Sequence, residues 1–124
     1  MDKYEREIVE LHQFFVEWFK GDLPKNESGF ARFSVVTSPD FAIITPDGRR
    51  YTYEQITSSI YDSHANRAMM RITIKAVNHH ATHGDIHIVE YEEWQDTDPN
   101  QPTARLSTVI FKDDVSTPNG LRWL

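Results

Sequence analysis

From Asp2 to Lys20 the apolar residues Tyr4, Ile8, Leu11, Phe15 and Trp18 recur at intervals of three and four, with Phe14 and Phe19 widening the stripe. That spacing predicts an amphipathic helix with one buried face. Gly21 stops it. Asp22, Pro24 and Asn26 then offer cap and first-turn residues for a short second helix, with Phe30 and Phe33 inward and Gly29 as its weak point. Ser38-Pro39-Asp40 breaks the pattern, Phe41 to Thr45 reads as a short strand, Pro46-Asp47-Gly48 as a turn, and the strand resumes through Arg49 to Thr52. Thr52 and Gln55 stand in the capping-box relation at the head of a third helix, which has Ile56, Ile60 and Tyr61 on one side and fades near Ala65-Asn66.

The longest patterned stretch, Arg71 to Gln95, reads as two strands folded back at Gly84-Asp85. With the register that a tight turn sets, Ile72, Ile74, Ala76, Asn78 and His80 share a face with His87, Val89, Tyr91 and Glu93. The other face sets Lys75 against Trp94, Val77 against Glu92 and His79 against Glu90. A slip of one residue exchanges the two faces. Asp96 to Pro102 is a polar loop, Ala104 to Lys112 a third long strand, Asp113 to Gly120 a loop, and Leu121 to Leu124 the start of a last strand that stops abruptly. Helices first, then long antiparallel strands, give an α+β domain spanning residues 1–124, with helices packed on one face of a curved sheet.

Composition narrows the function classes. A chain of 124 residues can bury about two thirds of its surface and needs no covalent staple. There are no cysteines, which fits a reducing compartment. A net charge of −6 argues against nucleic acid or anionic membrane as the main partner. The opening MDKYEREIVE is charged where a signal peptide is apolar, and no run reaches the ~20 apolar residues of a membrane span. A soluble, cytoplasmic protein is expected.

Three segments carry a resemblance: Phe14-Phe15-Val16-Glu17-Trp18-Phe19-Lys20-Gly21-Asp22-Leu23, then Ser38-Pro39-Asp40-Phe41-Ala42-Ile43-Ile44-Thr45-Pro46-Asp47-Gly48, then Arg105-Leu106-Ser107-Thr108-Val109-Ile110-Phe111. Together they resemble the nuclear transport factor 2-like cone fold, a cystatin-like arrangement. They are most similar to its small stand-alone branch of unassigned function, beside ketosteroid isomerases, SnoaL-like polyketide cyclases and the kinase II association domain. The resemblance implies a curved antiparallel or mixed sheet, a cavity between the first helix and the concave face, and a homodimer through the outer sheet face. It also implies that steroid isomerisation is absent. The position of the isomerases' helix tyrosine is Phe14, which cannot donate to an oxyanion, and that of the general-base aspartate is Thr45, whose hydroxyl is too weak a base. The second acid falls near Ser107 or Thr108. The final strand, normally longer, reads here as truncated or as a very short edge.

Remaining chemistry centres on the hairpin. His79, His80, His83 and His87 crowd its end near Asp85, yet alternation leaves at most His80 and His87 converging, so no metal site and no cofactor is expected. Asp96, Asp98, Asp113 and Asp114 read as loop charges. Glu93, His87 and Tyr91, with Asn78 beside them, are the acid-base candidates, because a carboxylate buried in an apolar cone has a raised pKa. Against this stands Glu93 solvated at an open rim. Phe14, Trp18, Thr45, Asn78, His80, Val89 and Ser107 are the candidate ligand contacts. Three functions follow: a non-catalytic binder of a small apolar or amphipathic molecule, an isomerase, dehydratase or cyclase with a non-standard acid-base set, or an association module.

Overall fold

The computed structural model describes residues 1–67, 70–95 and 103–124. The loop expected over Asp96 to Pro102, with Asp96 and Asp98, lies outside them. Helix α1 runs Lys3–Lys20, α2 Glu27–Ser34 and α3 Tyr53–Asp62; the strands are β1 Ala42–Ile44, β2 Arg50–Thr52, β3 Ile72–His83, β4 Ile86–Gln95, β5 Thr103–Asp113 and β6 Leu121–Trp123. The four long-range strands form one antiparallel sheet in the order β3-β4-β5-β6, and β1 and β2 pair separately as a small hairpin. This is the α+β class that the pattern predicts.

Local chemistry sets the helix ends. Asp2 accepts from the Glu5 N–H at the head of α1, and Gly21, at φ 85°, closes it in the left-handed conformation. Asn26 caps α2. Gly29 proves to be a requirement of α2: a Cβ there would lie 1.9 Å from the Pro24 carbonyl oxygen, so no larger residue fits. The reciprocal Thr52–Gln55 capping box starts α3.

Helix α1 lies across the sheet face that carries His87, Val89, Tyr91 and Glu93, and Ile8, Trp18, Phe33, Val89, Phe111 and Leu121 form the driest part of the core. Phe30, Phe33, Trp18 and Tyr61 meet at 5.0–5.4 Å between ring centroids and join α1 to α2 and α3.

The C-terminal strand is short but firmly held. Arg122 donates to Asp114, and the backbone of Trp123 bonds to Val36 and Ser38 beyond its pairing with β5. Fully buried Glu7 holds this corner: it accepts from both terminal nitrogens of Arg32 (2.8 and 3.1 Å), from Asn119 Nδ2 (3.0 Å) and from Trp123 Nε1 (2.8 Å). Four donors leave neither carboxylate oxygen unpaired, which is what a buried charge requires.

The hairpin departs from simple alternation. The turn sits at Gly84-Asp85 as expected, with Thr82 opposite His87, but the register slips between His79 and Ala81 and again between Lys75 and Asn78. Each slip is an extra residue in β3, and Ala76 takes a left-handed φ of 54° at the second. Between the bulges the faces exchange. His79 therefore sits opposite Val89 on the inner face, while Asn78 opposes Glu90 on the outer one and His80 is exposed 3.9 Å from Glu90. Ile72 and Ile74, beyond both bulges, return to the inner face.

Candidate functional site

A hollow of about 670 Å³ opens between α1, the inner face of β4 and β5, and the β1–β2 hairpin. Its walls are largely apolar, with Leu11, Phe15, Phe33, Phe41, Ile56 and Val109 among them. Polar atoms gather at one side, from His12, Tyr91, Glu93, Arg105 and Ser107. A few convergent polar groups in an apolar concavity of this volume is the usual make-up of a small-molecule site.

His12 and Glu93 form its centre. The His12 side chain projects from the buried stripe of α1, and Glu93 from β4; both are nearly inaccessible, and Nε2 of His12 lies 2.8 Å from Oε1 of Glu93. The other ring nitrogen, Nδ1, donates to the Ile8 carbonyl at 2.7 Å. A carbonyl oxygen only accepts, so Nδ1 carries a proton, and a second proton must sit between Nε2 and the carboxylate for the short contact to be attractive. Burial pushes the Glu93 carboxyl up, but the hydrogen bonds from His12 and Gln95 and the Arg105 charge outweigh it and hold it below its ordinary value. The two groups share that second proton across the 2.8 Å contact. Gln95 Nε2 donates to the other Glu93 oxygen at 2.5 Å.

Tyr91 lies one inward position along β4, its ring 5.5 Å from that of His12. Burial, and then the Glu93 charge, push its phenol above its ordinary value, against a smaller opposing effect of Ser107. It stays a neutral hydroxyl able to donate. Together these groups offer a proton donor, a carboxylate and a phenol at one end of an apolar space, a set competent to orient a polar head or to exchange a proton with it.

The expected site residues divide. Glu93, Tyr91, Thr45 and Ser107 line the hollow. His87 does not meet Glu93: six positions apart on β4, their backbones are separated by roughly 20 Å. His87 is instead buried at the hairpin end, with Nε2 donating to Asp113 at 2.7 Å and Nδ1 within 3.1 Å of the Tyr4 hydroxyl. Phe14 and Trp18 are buried but do not line the space; Phe14 packs on Phe30, and Trp18 donates to the Ile60 carbonyl at 2.7 Å. Val89 lies in the dry core, and Asn78 and His80 are on the opposite face because of the bulges. Glu93 is buried and paired, so a solvated rim residue is the wrong description of it. Among the described residues no three His, Cys, Asp or Glu side chains converge as a metal site, and no helix is long and apolar enough to cross a membrane.

The sequence reading missed His12 and Glu7. Both stand on the buried face of α1, where Glu7, Leu11, Phe14 and Trp18 follow one helical row and Ile8, His12 and Phe15 the next. A polar residue inside an apolar row was the available signal.

Comparison with solved structures gives a match to a protein from Pseudomonas aeruginosa, described from its 1.5 Å crystal structure as an NTF-2 like protein of unknown function. The TM-score is 0.83, with 26% identity, over 98% of this chain and 92% of that one. The nuclear transport factor 2-like fold expected from the sequence is thereby established. No curated protein matches the chain. The profile of the sucrose-6-phosphate phosphohydrolase C-terminal family matches residues 4–124, and with nearly every residue inside that match, from the first turn of α1 to the end of β6, this chain belongs to the sucrose-6-phosphate phosphohydrolase C-terminal family.

Proposed function

We propose that the cone binds a small amphipathic molecule, apolar body against Leu11, Phe15 and Phe33 and polar head toward His12, Glu93 and Tyr91. The observation that carries this reading is the hollow of about 670 Å³ with apolar walls and one polar side. Filling it with a hydrocarbon body removes apolar surface from water at about 25 cal/mol per Å². A head with both a donor and an acceptor matches the His12–Glu93 pair. The family takes its name from the C-terminal part of a sugar-phosphate phosphohydrolase. A sugar phosphate suits these walls poorly, since most of its hydroxyls would face Phe and Ile side chains.

The second reading is acid-base catalysis in the same cavity. It is favoured by the proton held between His12 and Glu93, with His12 in the place that His87 takes in the expectation from sequence. An association role would use the outer sheet face: Leu106 and Ile110 are 78% and 44% exposed there, and Lys75 covers Trp94 with Nζ 4.9 Å from the ring centroid. We place a homodimer on that face.

Native mass spectrometry of freshly purified protein tests the set. A dimer carrying a discrete mass that denaturation releases supports binding. A clean dimer without bound mass favours association, and a monomer removes the outer face as an interface.

A further inference from the structure

At the hairpin end, far from the hollow, four side chains form a continuous hydrogen-bonded row. His87 Nε2 is 2.7 Å from Asp113 Oδ1, His87 Nδ1 is 2.9 Å from Thr82 Oγ1, and Thr82 Oγ1 is 2.5 Å from His79 Nε2. The first bulge of β3 builds the row, because it turns His79 onto the face where Thr82 already stands opposite His87. The proton positions follow from the partners. A carboxylate accepts, so Nε2 of His87 carries hydrogen and Nδ1 presents its lone pair. Two hydroxyls reach that lone pair, Thr82 at 2.9 Å and Tyr4 at 3.1 Å. If Thr82 donates its single hydrogen to His87, its oxygen accepts from His79 Nε2–H. The His87 hydrogen bond, against a smaller opposing effect of burial and with help from the Lys3 charge, holds the Asp113 carboxyl below its ordinary value, so the acceptor stays ionised. His87 is buried, while Thr82, His79 and Asp113 are exposed, so the hydroxyl can meet a solute.

We propose that Thr82 is a nucleophile for acyl transfer from small activated carboxylic esters, with His87 as general base and Asp113 as the group that fixes its tautomer. A hydroxyl is activated for such work by an adjacent base that a third group orients. Thr82 Oγ1 attacks the acyl carbon as its proton passes to His87 Nδ1; the new Thr–O–acyl bond forms, the bond to the leaving oxygen breaks, and the leaving group departs as an alcohol with that proton. Water then attacks the acyl-threonine, again giving a proton to Nδ1, which returns it to Thr82, and the carboxylic acid leaves. Ester and water become acid and alcohol, with no redox change. His79 is a positioning residue that sets the rotamer of the Thr82 hydroxyl. Nothing in this row touches His12 or Glu93, so the activity is independent of the cavity.

The test mixes the full-length protein with p-nitrophenyl acetate and follows both p-nitrophenolate release and the mass of the chain, with peptide mapping. The expected result is a burst of one equivalent and a single acetyl group on Thr82. Thr82→Ser keeps both, Thr82→Val loses both, and Asp113→Asn slows the burst by about 10²-fold or more, the scale of general-base assistance. Acetyl groups only on exposed histidines or lysines of the wild type, or an unchanged burst in Thr82→Val, would overturn the assignment. The mapping on wild type and Thr82→Ser decides it even where the valine variant folds poorly.

Discussion

Glu7 and Glu93 are both buried carboxylates held against the first helix, and they are built for different ends. Glu7 is fully enclosed and saturated by four donors from Arg32, Asn119 and Trp123, so it ties α1 to α2 and to the C-terminal strand and has nothing left to offer a ligand. Glu93 has two donors, His12 and Gln95, and lines the hollow. The same chemical group is a structural tie where its lone pairs are filled by protein and a candidate working group where it borders open space. Burial alone does not distinguish them.

Substitutions can break that contrast. Arg32→Ala should have the largest effect, because it strands a buried charge with only neutral donors: a loss of about 3–5 kcal/mol in unfolding free energy by urea titration. A loss under 1 kcal/mol would mean that Glu7 is neutral or rehydrated. His12→Ala should cost less, about 2 kcal/mol, because Gln95 and the open hollow still serve Glu93. If His12→Ala matched Arg32→Ala, the division between tie and working group would fail.

The pH dependence of Glu93→Gln sharpens the comparison. Since the folded carboxyl sits below its ordinary value of about 4.5, the charged form contributes stability that is fully present above that value and lost as pH falls through the lower folded one. The stability difference between wild type and Glu93→Gln should therefore shift against the wild type as pH falls below about 4.5. A difference that grows in the wild type's favour below about 4.5 contradicts a lowered Glu93 value. The smallest effect is Ala76→Gly. Ala76 stands at φ 54° in a bulge, so glycine should relieve local strain and change stability by no more than about 1 kcal/mol, in the stabilising direction. A clear destabilisation would show that the alanine methyl contributes more than the strain costs.

Much of the fold was legible from period and punctuation. The row from Tyr4 to Trp18 gave α1, Thr52 with Gln55 gave the start of α3, and Gly84-Asp85 gave the turn. The bulges were not legible, since His80 and Ala76 carry no glycine or proline signal; they follow from how β3 must bend against β4. That missing information moved Asn78 and His80 to the outer face and His79 to the inner one. The site was legible in part. Glu93, Tyr91, Thr45 and Ser107 fall on the hollow by strand alternation and by the resemblance, but the partner of Glu93 comes from α1, eighty-one positions away in sequence. No local pattern announces such a pair; only the oddity of His12 within an apolar row hinted at it.

The central claim is that the hollow binds an amphipathic molecule with its polar side at His12 and Glu93. The most direct measurement is a fluorescence titration with 8-anilinonaphthalene-1-sulfonate on wild type, Glu93→Gln and the cavity-filling Ser107→Phe, each shown to be folded by circular dichroism. The account predicts one saturable site per chain in the wild type, an altered affinity in Glu93→Gln and loss of the site in Ser107→Phe. Saturable binding that Ser107→Phe leaves unchanged, or no binding by the wild type, would contradict it.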